Sequence, residues 1–190
     1  MTIFITSDHH FLHKGILKHR PPFSTVEEQT DIIVRNWKKL IQPDDTVYLL
    51  GDISMGAWRE ALVIIGALPG VKNLVVGNHD RCSPVAPNGH NYVRPYYAVF
   101  ESVVQSLAIN HKGMKIAMSH YPYSGDHTDE DRHAMWRLTD TGVPLVHGHT
   151  HSTEKFSLST KGTPQVNVSL EAWDYHPAPL NEVHSLLLAS

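Results

Sequence analysis

The sequence lacks the features that mark secreted and membrane proteins. Cys82 is the only cysteine among 190 residues, so no intrachain disulfide can form. No apolar run approaches the roughly 20 residues that a membrane-spanning helix needs. The N-terminal segment reads directly as a strand, without the charged region and apolar stretch of a secretory signal. We therefore expect a cytoplasmic protein that does not contact a membrane.

Positive charge is also sparse and dispersed. The formal net charge is −3, and no block of Lys or Arg is longer than the pair Lys38-Lys39. Proteins that grip long duplex DNA carry a basic stripe, because neutralising phosphates supplies much of their affinity. We therefore expect no extended nucleic-acid surface, and a small or local substrate.

The composition is otherwise ordinary for a globular protein, except for histidine. Hydrophobic residues make up 41% and charged residues 18% of the chain, whereas 15 residues are histidines. Imidazole is the commonest protein ligand for transition metals. The length predicts one domain over residues 1–190.

Five short apolar runs each end in a cluster of Asp, Asn, Ser, Gly or His residues. In chain order, the clusters are Asp8-His9-His10, Gly51-Asp52, Gly77-Asn78-His79-Asp80, Ser119-His120 and His147-Gly148-His149-Thr150-His151. One such cluster would indicate a turn, but five predict loops that converge on one rim of a sheet. The carboxyl ends of strands are where α/β folds place their sites.

The order of the predicted elements defines a fold class. The first half alternates strands, over 2–7, 46–50 and 72–76, with helices over 24–41 and 57–68, the first of which opens with a capping box at Ser24 and Glu27. The second half is mostly strands, over 96–109 (a pattern that also permits a helix), 114–119, 143–146 and 156–170, before a helix over 179–188. Both halves fit an α/β (α+β) fold, a four-layer αββα sandwich of two packed mixed sheets flanked by helices.

The ordered clusters resemble the calcineurin-like metallophosphoesterase superfamily. The matching blocks are Asp8-x-His10, Gly51-Asp52, Gly77-Asn78-His79-Asp80, His120 and Gly148-His149-x-His151. All five are present, in order, and no ligand position is missing. The stretch from Val166 to Tyr175 is similar to that of a small bacterial and phage single-domain branch.

The resemblance implies a centre of two divalent cations bridged by Asp52. One cation would take Asp8, His10, Asp52 and His151. The other would take Asp52, Asn78, His120 and His149. A hydroxide held between the cations would attack phosphorus in line with the leaving oxygen. The mixed nitrogen and oxygen ligands favour Mn, with Fe, Zn, Co or Ni as alternatives.

Other residues receive roles by the same resemblance. His79 would be the general acid or a transition-state stabiliser, and Asp80 would orient its imidazole. His13 would contact the substrate phosphate, or else would be a surface residue that caps the next turn. His147 would be either a partner of the ligands or a strand-end residue.

The remaining candidates are interpreted as structural or solvated. His9 is predicted to be structural and Cys82 to be inert. Arg20 and Arg132 are predicted to have ordinary solvated roles, with contact to the substrate phosphate as the alternative. The histidines interpreted as surface residues are His90, His111, His127, His133, His176 and His184.

One departure from the superfamily pattern bears on the substrate. Protein phosphatases of the superfamily carry Asp-Arg-Gly soon after Gly-Asp, whereas this chain continues Gly51-Asp52-Ile53-Ser54-Met55-Gly56. The missing arginine favours small phosphodiesters, including 2′,3′- or 3′,5′-cyclic nucleotides. A phosphomonoesterase, a nuclease on short nucleic acid, and a metal-stabilised interaction module without enzymatic activity stay open as alternatives.

Overall fold

Ten strands form two five-stranded sheets in the computed structural model, which describes residues 1–126 and 128–189. The first sheet has the order β10-β1-β2-β3-β4, and the second has the order β5-β6-β7-β9-β8. The strands of the first sheet are β1 (Ile3–Thr6), β2 (Thr46–Leu49), β3 (Val71–Val75), β4 (Ser102–Val104) and β10 (Ala178–Pro179). Those of the second are β5 (Ser106–His111), β6 (Met114–Ser119), β7 (Leu145–His147), β8 (Phe156–Leu158) and β9 (Pro164–Asn167).

Both sheets are mixed, with parallel strands at their centres. Strands β1 to β4 pair in parallel, and β10 runs antiparallel to β1. In the second sheet, β6, β7 and β9 pair in parallel, while the edge strands β5 and β8 run antiparallel to their neighbours. The predicted fold of two packed mixed sheets flanked by helices is therefore confirmed.

Four α-helices accompany the sheets in the described part of the chain. They are α1 (Val26–Leu40), α2 (Trp58–Gly66), α3 (Val93–Tyr96) and α4 (Leu180–Leu188). Short 3₁₀ helices lie at Lys14–His19, Gly89–Tyr92, Ala134–Trp136 and Leu170–Trp173. No helix among the described residues has both the length and the apolar character needed to cross a membrane.

Alternating side chains of the first sheet contribute to two apolar cores. Phe4, Val47 and Leu49 pack with Ile33, Trp37 and Ile41, and with α2, on the outer face. Ile5 and Leu50 pack instead with Ile116, Met118, Val146 and Val166 of the second sheet, and with α4. The period-two alternation of strands thus builds one core between the sheets and one beneath the first two helices.

One local prediction is corrected, and one that left two alternatives open is resolved. The cap of α1 lies one residue later than predicted: the side chain of Thr25 accepts from the backbone N–H of Glu28, and the Glu28 carboxylate accepts from Ser24 N–H. The segment 96–109, for which strands or a helix were open, contains the end of α3 followed by β4 and β5.

Strand register brings the predicted site to one edge. Thr6 pairs with Leu49, and Leu49 pairs with Leu74, so β1, β2 and β3 end at the same level. In the second sheet, Met118 pairs with Val146. The loops that carry the predicted ligands therefore leave both sheets side by side.

Candidate metal centre

Backbone hydrogen bonds continue past the strand ends and fix the loops against each other. Asp8 N–H donates to Gly51 O at 3.0 Å, and His10 N–H donates to Asp52 O at 3.0 Å. Gly148 N–H likewise donates to His120 O at 2.9 Å. At Gly148 a β-carbon would collide with the side chains of Ser7 and Asp8, so only glycine allows this approach.

Five of the predicted ligands have a left-handed backbone. The φ angles are 60° for Asp8, 48° for His10, 54° for Asp52, 71° for His149 and 49° for His151. Such conformations cost on the order of 1–3 kcal/mol each for residues other than glycine, and they cluster at functional sites. The loops are therefore folded at a local cost that the surrounding structure offsets.

Asp8, His10 and His151 form the first group of converging side chains. One ligand atom from each lies within 4.8 Å of those of the other two. The Nε2 atoms of His10 and His151 each lie 3.9 Å from Asp8 Oδ1, which is too long for a hydrogen bond. Two ligands that each lie about 2 Å from one ion are separated by such a distance.

The buried polar atoms of this group also fit a cation. Within the described residues, Asp8 Oδ1 and both ring nitrogens of His10 are buried without a hydrogen-bond partner. The other oxygen of Asp8, Oδ2, accepts hydrogen bonds from Ser7 Oγ, from His149 N–H at 2.9 Å and from Ser169 Oγ at 3.1 Å. One oxygen thus anchors the loop while the other faces the imidazoles.

Asp52 lies between this group and a second one. Its Oδ1 accepts the backbone N–H of His79 at 2.8 Å. Its Oδ2 lies 3.8 Å from His10 Nε2 and 3.5 Å from His120 Nε2. The carboxylate therefore faces histidines from both predicted ligand sets, which is the placement that a bridging ligand requires.

The second group contains Asp8, Asp52 and His120, and Asn78 lies beside His120. His120 Nδ1 lies 2.7 Å from Leu50 O, and because a carbonyl can only accept, this nitrogen carries the proton. In the neutral ring Nε2 is then an acceptor, yet it faces Asn78 Oδ1 at 3.0 Å and the Asp52 carboxylate. A cation between these facing acceptors, either a proton or a metal ion, would satisfy them.

Burial of the Asp8 and Asp52 carboxylates also favours a bound cation. Burial raises the pKa of Asp52 to about 6, a rise that His120 opposes and Asp8 increases. Burial alone would raise the pKa of Asp8, but His151, His120 and His10 lower it below its ordinary range. A divalent cation at this position would supply the positive charge that keeps Asp52 ionised beside Asp8.

His149 lies beside the second group and has a carboxylate partner of its own. Its ring centroid lies 5.1 Å from that of His120. Its Nε2 lies 3.0 Å from Asp126 Oδ2, so a cation bound by His149 would use Nδ1. His149 belongs to neither group of mutually close ligand atoms among the described residues, and its predicted role as a ligand stays a prediction.

His79 lies at the open side of the centre. Its side chain is 36% exposed, and its Nε2 is 4.0 Å from Asp52 Oδ2. The role of Asp80 as the orienting partner of this ring stays a prediction, because the hydrogen bonds of its carboxylate lead to the backbone. The Asp80 carboxylate accepts backbone N–H groups of Ile53 at 3.0 Å and Gly77 at 2.8 Å, as well as that of Asp52, because the turn directs it into the fold.

His13 and His147 each lie close to a loop that carries predicted ligands. The ring of His13 is half-buried, 6.0 Å from the ring of His10, so it borders the site as its substrate-binding prediction requires. His147 is buried, and its ring contacts the carbonyl of Gly148 rather than a predicted ligand, as expected of a strand-end residue.

Several residues differ from their solvated interpretation. Arg20 is fully buried, with Nε 2.8 Å from Glu171 Oε1, and Glu171 in turn contacts His151. His184 is buried, because its ring packs edge-on against His111. The ring of His133 lies 5.6 Å from that of His149, beside the site. Of the histidines predicted at the surface, His127 lies outside the described residues.

Glu171 and Asp126 were not identified from the sequence, and Arg20 was interpreted as solvated. Arg20 and Glu171 are 151 positions apart, and neither lies in one of the five clusters. The motif signal that identified the ligands does not extend to residues that contact them from other elements.

Comparisons with known proteins agree with the geometry. A family model described as calcineurin-like phosphoesterase matches residues 1–153. The chain is 38% identical over 180 residues to the Gene 66 protein of Mycobacterium phage L5, which covers 90% of this chain and 86% of that protein. It is 35% identical over 195 residues to the Gene 66 protein of Mycobacterium phage D29, covering 97% and 95%.

A solved structure has the same fold over nearly the whole chain. It is that of AQ665, a protein of unknown function from Aquifex aeolicus, with a TM-score of 0.70 and 28% identity. The alignment covers 97% of this chain and 98% of that one. The two sheets and the rim that joins them are therefore shared with a natural protein of similar length.

Proposed function

The chain belongs to the calcineurin-like phosphoesterase family, and from this premise we propose that it is a two-metal phosphodiesterase acting on small phosphodiesters. Its leading candidate substrates are 2′,3′- and 3′,5′-cyclic nucleotides. The observation that carries the proposal is the position of Asp52 Oδ2, 3.8 Å from His10 Nε2 and 3.5 Å from His120 Nε2.

Seven side chains of the rim would hold the two divalent cations, with Mn as the first choice. They are Asp8, His10, Asp52, Asn78, His120, His149 and His151. When bound, such cations make hydroxide available near neutral pH and stabilise negative charge on phosphoryl oxygens. The mixture of imidazole, carboxylate and amide ligands fits a transition metal better than Mg.

His79 is placed to act on the substrate. Its backbone N–H is fixed by Asp52 Oδ1 at 2.8 Å, while its partly exposed ring faces the centre. Burial lowers the pKa of His79, and the charge of His120 lowers it further. We assign to this imidazole either proton donation to the leaving oxygen or stabilisation of charge in the transition state.

The surroundings of Asp52 support a diester over a monoester. Ile53 is buried, and Ser54 Oγ donates to Phe11 O at 2.7 Å, so the segment after the bridging residue is built into the core. No guanidinium stands at this point of the sequence. A diester carries one negative charge fewer than a monoester dianion and needs fewer cationic partners.

A substrate panel tests the proposal. Metal-stripped protein is loaded with Mn²⁺ and assayed on bis(p-nitrophenyl) phosphate, p-nitrophenyl phosphate, 2′,3′- and 3′,5′-cyclic AMP and a short RNA. We expect the highest kcat/KM on a diester or cyclic nucleotide, with loss of turnover after chelation. Asp52→Ala should deplete the bound metal and abolish turnover.

The same panel separates the alternatives. Preferential turnover of the monoester, or of the RNA, would replace the diesterase by a phosphatase or a nuclease. Binding of Mn²⁺ without turnover of any substrate would indicate a metal-stabilised interaction module. A fully loaded and active Asp52→Ala variant would contradict the bridging role.

A further inference from the structure

His151 contacts a buried carboxylate from the far end of the chain. Its Nδ1 lies 2.8 Å from Glu171 Oε1, and the Glu171 side chain is 3% exposed. The same Oε1 accepts from Arg20 Nε at 2.8 Å. Arg20 also donates to the backbone carbonyls of Asp8 and, at 3.1 Å, His9. One buried arginine thus joins Glu171 to the loop that follows β1.

His149 has a similar arrangement built from different elements. Its Nε2 lies 3.0 Å from Asp126 Oδ2, and the Asp126 side chain is fully buried. Arg137 Nη2 donates to the same oxygen at 2.9 Å, and Arg132 Nη2 donates to Oδ1 at 3.0 Å. The carboxylate therefore belongs to the segment between β6 and β7, whereas Glu171 belongs to the 3₁₀ helix after β9.

A carboxylate that accepts a ring N–H decides which nitrogen of a histidine can bind a metal. A neutral imidazole carries one N–H, so a proton on Nδ1 of His151 leaves the lone pair on Nε2. That Nε2 lies 3.9 Å from Asp8 Oδ1, within the first group. For His149 the proton lies on Nε2 and the lone pair on Nδ1. Such contacts also fix ring orientation and raise the basicity of the ligand.

We propose that Glu171 and Asp126 are positioning residues for different cations of the pair. Glu171, held by Arg20, sets His151 for the first cation. Asp126, held by Arg137, sets His149 for the second. This inference rests on the two-metal centre of the proposed function, but metal affinity tests it independently of turnover.

Calorimetric titration of the metal-stripped variants with Mn²⁺ provides the test. Glu171→Ala and Asp126→Ala should each weaken one of the two sites by about 10–100-fold and leave the other near its wild-type affinity. Each variant is the matched control for the other. At two equivalents of Mn²⁺, the electron paramagnetic resonance spectrum of the wild type should be that of a coupled pair of ions, and that of each variant should be the spectrum of isolated ions.

Double variants identify which site each carboxylate serves. In a protein that already carries His151→Ala, the further change Glu171→Ala should weaken Mn²⁺ binding little more, because both changes affect the same site. In a protein that carries His149→Ala, the same further change should leave both sites weakened. The reverse should hold for Asp126→Ala. Equal weakening of both sites by either single variant would indicate a general structural role and overturn the inference.

Conservative variants keep the test decisive if removal of a buried carboxylate prevents folding. Glu171→Gln and Asp126→Asn retain an acceptor oxygen but not the charge, and should show smaller losses at the same sites. Circular dichroism of the metal-free variants checks the fold. The positioning roles are rejected if the conservative variants, and every alanine variant that folds, bind two Mn²⁺ ions with wild-type affinity. A wild-type protein that binds no Mn²⁺ pair would instead reject the proposed function.

Discussion

The carboxylate of Asp80 accepts the backbone N–H of Asp52 at 3.1 Å and thereby ties the loop after β3 to the loop after β2. Two further hydrogen bonds, donated by Ile53 N–H and Gly77 N–H, complete a set of three around Asp52. Burial, with the nearby charge of Asp52, raises the pKa of Asp80 to about 7. Asp80 therefore helps to fix the backbone geometry of Asp52.

Replacement of Asp80 by Asn should lower stability. The amide NH₂ group would face backbone N–H donors in place of one acceptor oxygen, which costs about 1–3 kcal/mol when the group is buried. Urea denaturation of the metal-free protein measures this loss, and Asp31→Asn, at an exposed position of α1, is the control. If Asp80→Asn keeps its stability but selectively loses kcat, the role of Asp80 as a partner of His79 is supported.

Replacement of His79 by Ala should separate catalysis from metal binding. We expect the variant to keep both cations, because the ring is no predicted ligand, and to lose about 10²–10⁴-fold in kcat. Metal content and steady-state rates on bis(p-nitrophenyl) phosphate measure the two effects, with the exposed His90→Ala as control. Metal loss with unchanged turnover per bound pair would refute the assignment.

Much of the fold could be predicted because its signals are local. Each apolar run and the polar cluster after it lie within about ten residues, and parallel strands that end level bring the clusters together. The cap of α1 was misplaced because Ser24 with Glu27 and Thr25 with Glu28 both fit the capping pattern, and only the backbone distinguishes them.

The buried residues outside the five clusters could not be predicted, because their contacts join distant parts of the sequence. Arg20 follows a turn of ordinary composition, and its partner Glu171 becomes a neighbour only after both sheets have formed. His184 is buried because α4 packs against the hairpin that carries His111, a tertiary contact with no sequence signature. Long-range polar contacts of this kind leave no periodicity or spacing to read.

The left-handed backbone of His10 gives a third prediction. The metal-free His10→Gly variant should be more stable than His10→Ala by about 1 kcal/mol, because glycine accepts the φ of 48° without strain. Thermal and urea unfolding measure the difference. The order should reverse at His90, which lies in a 3₁₀ helix, where His90→Ala should be the more stable variant. Equal stabilities of His10→Gly and His10→Ala would contradict backbone strain at His10.

The single thiol gives a fourth prediction. Cys82 is buried, and burial together with the charge of Asp80 raises the pKa of its thiol well above the ordinary range. Because the thiolate is the reactive form, the native protein should not react with Ellman's reagent at pH 8. One thiol per chain should react once the protein is unfolded in guanidinium chloride. Rapid stoichiometric reaction of the native protein would show that the side chain is accessible.

The neighbours of β1 come from widely separated parts of the chain. Phe4 and Ile5 pair with Pro179 and Ala178 on one side, and Ser7 bridges to Ser169. β1 therefore gains its full set of hydrogen-bonded neighbours only once residues 169–179 have folded against it. A chain cut before residue 169 would leave Asp8 without the support of these contacts, and it should therefore hold a divalent cation more weakly.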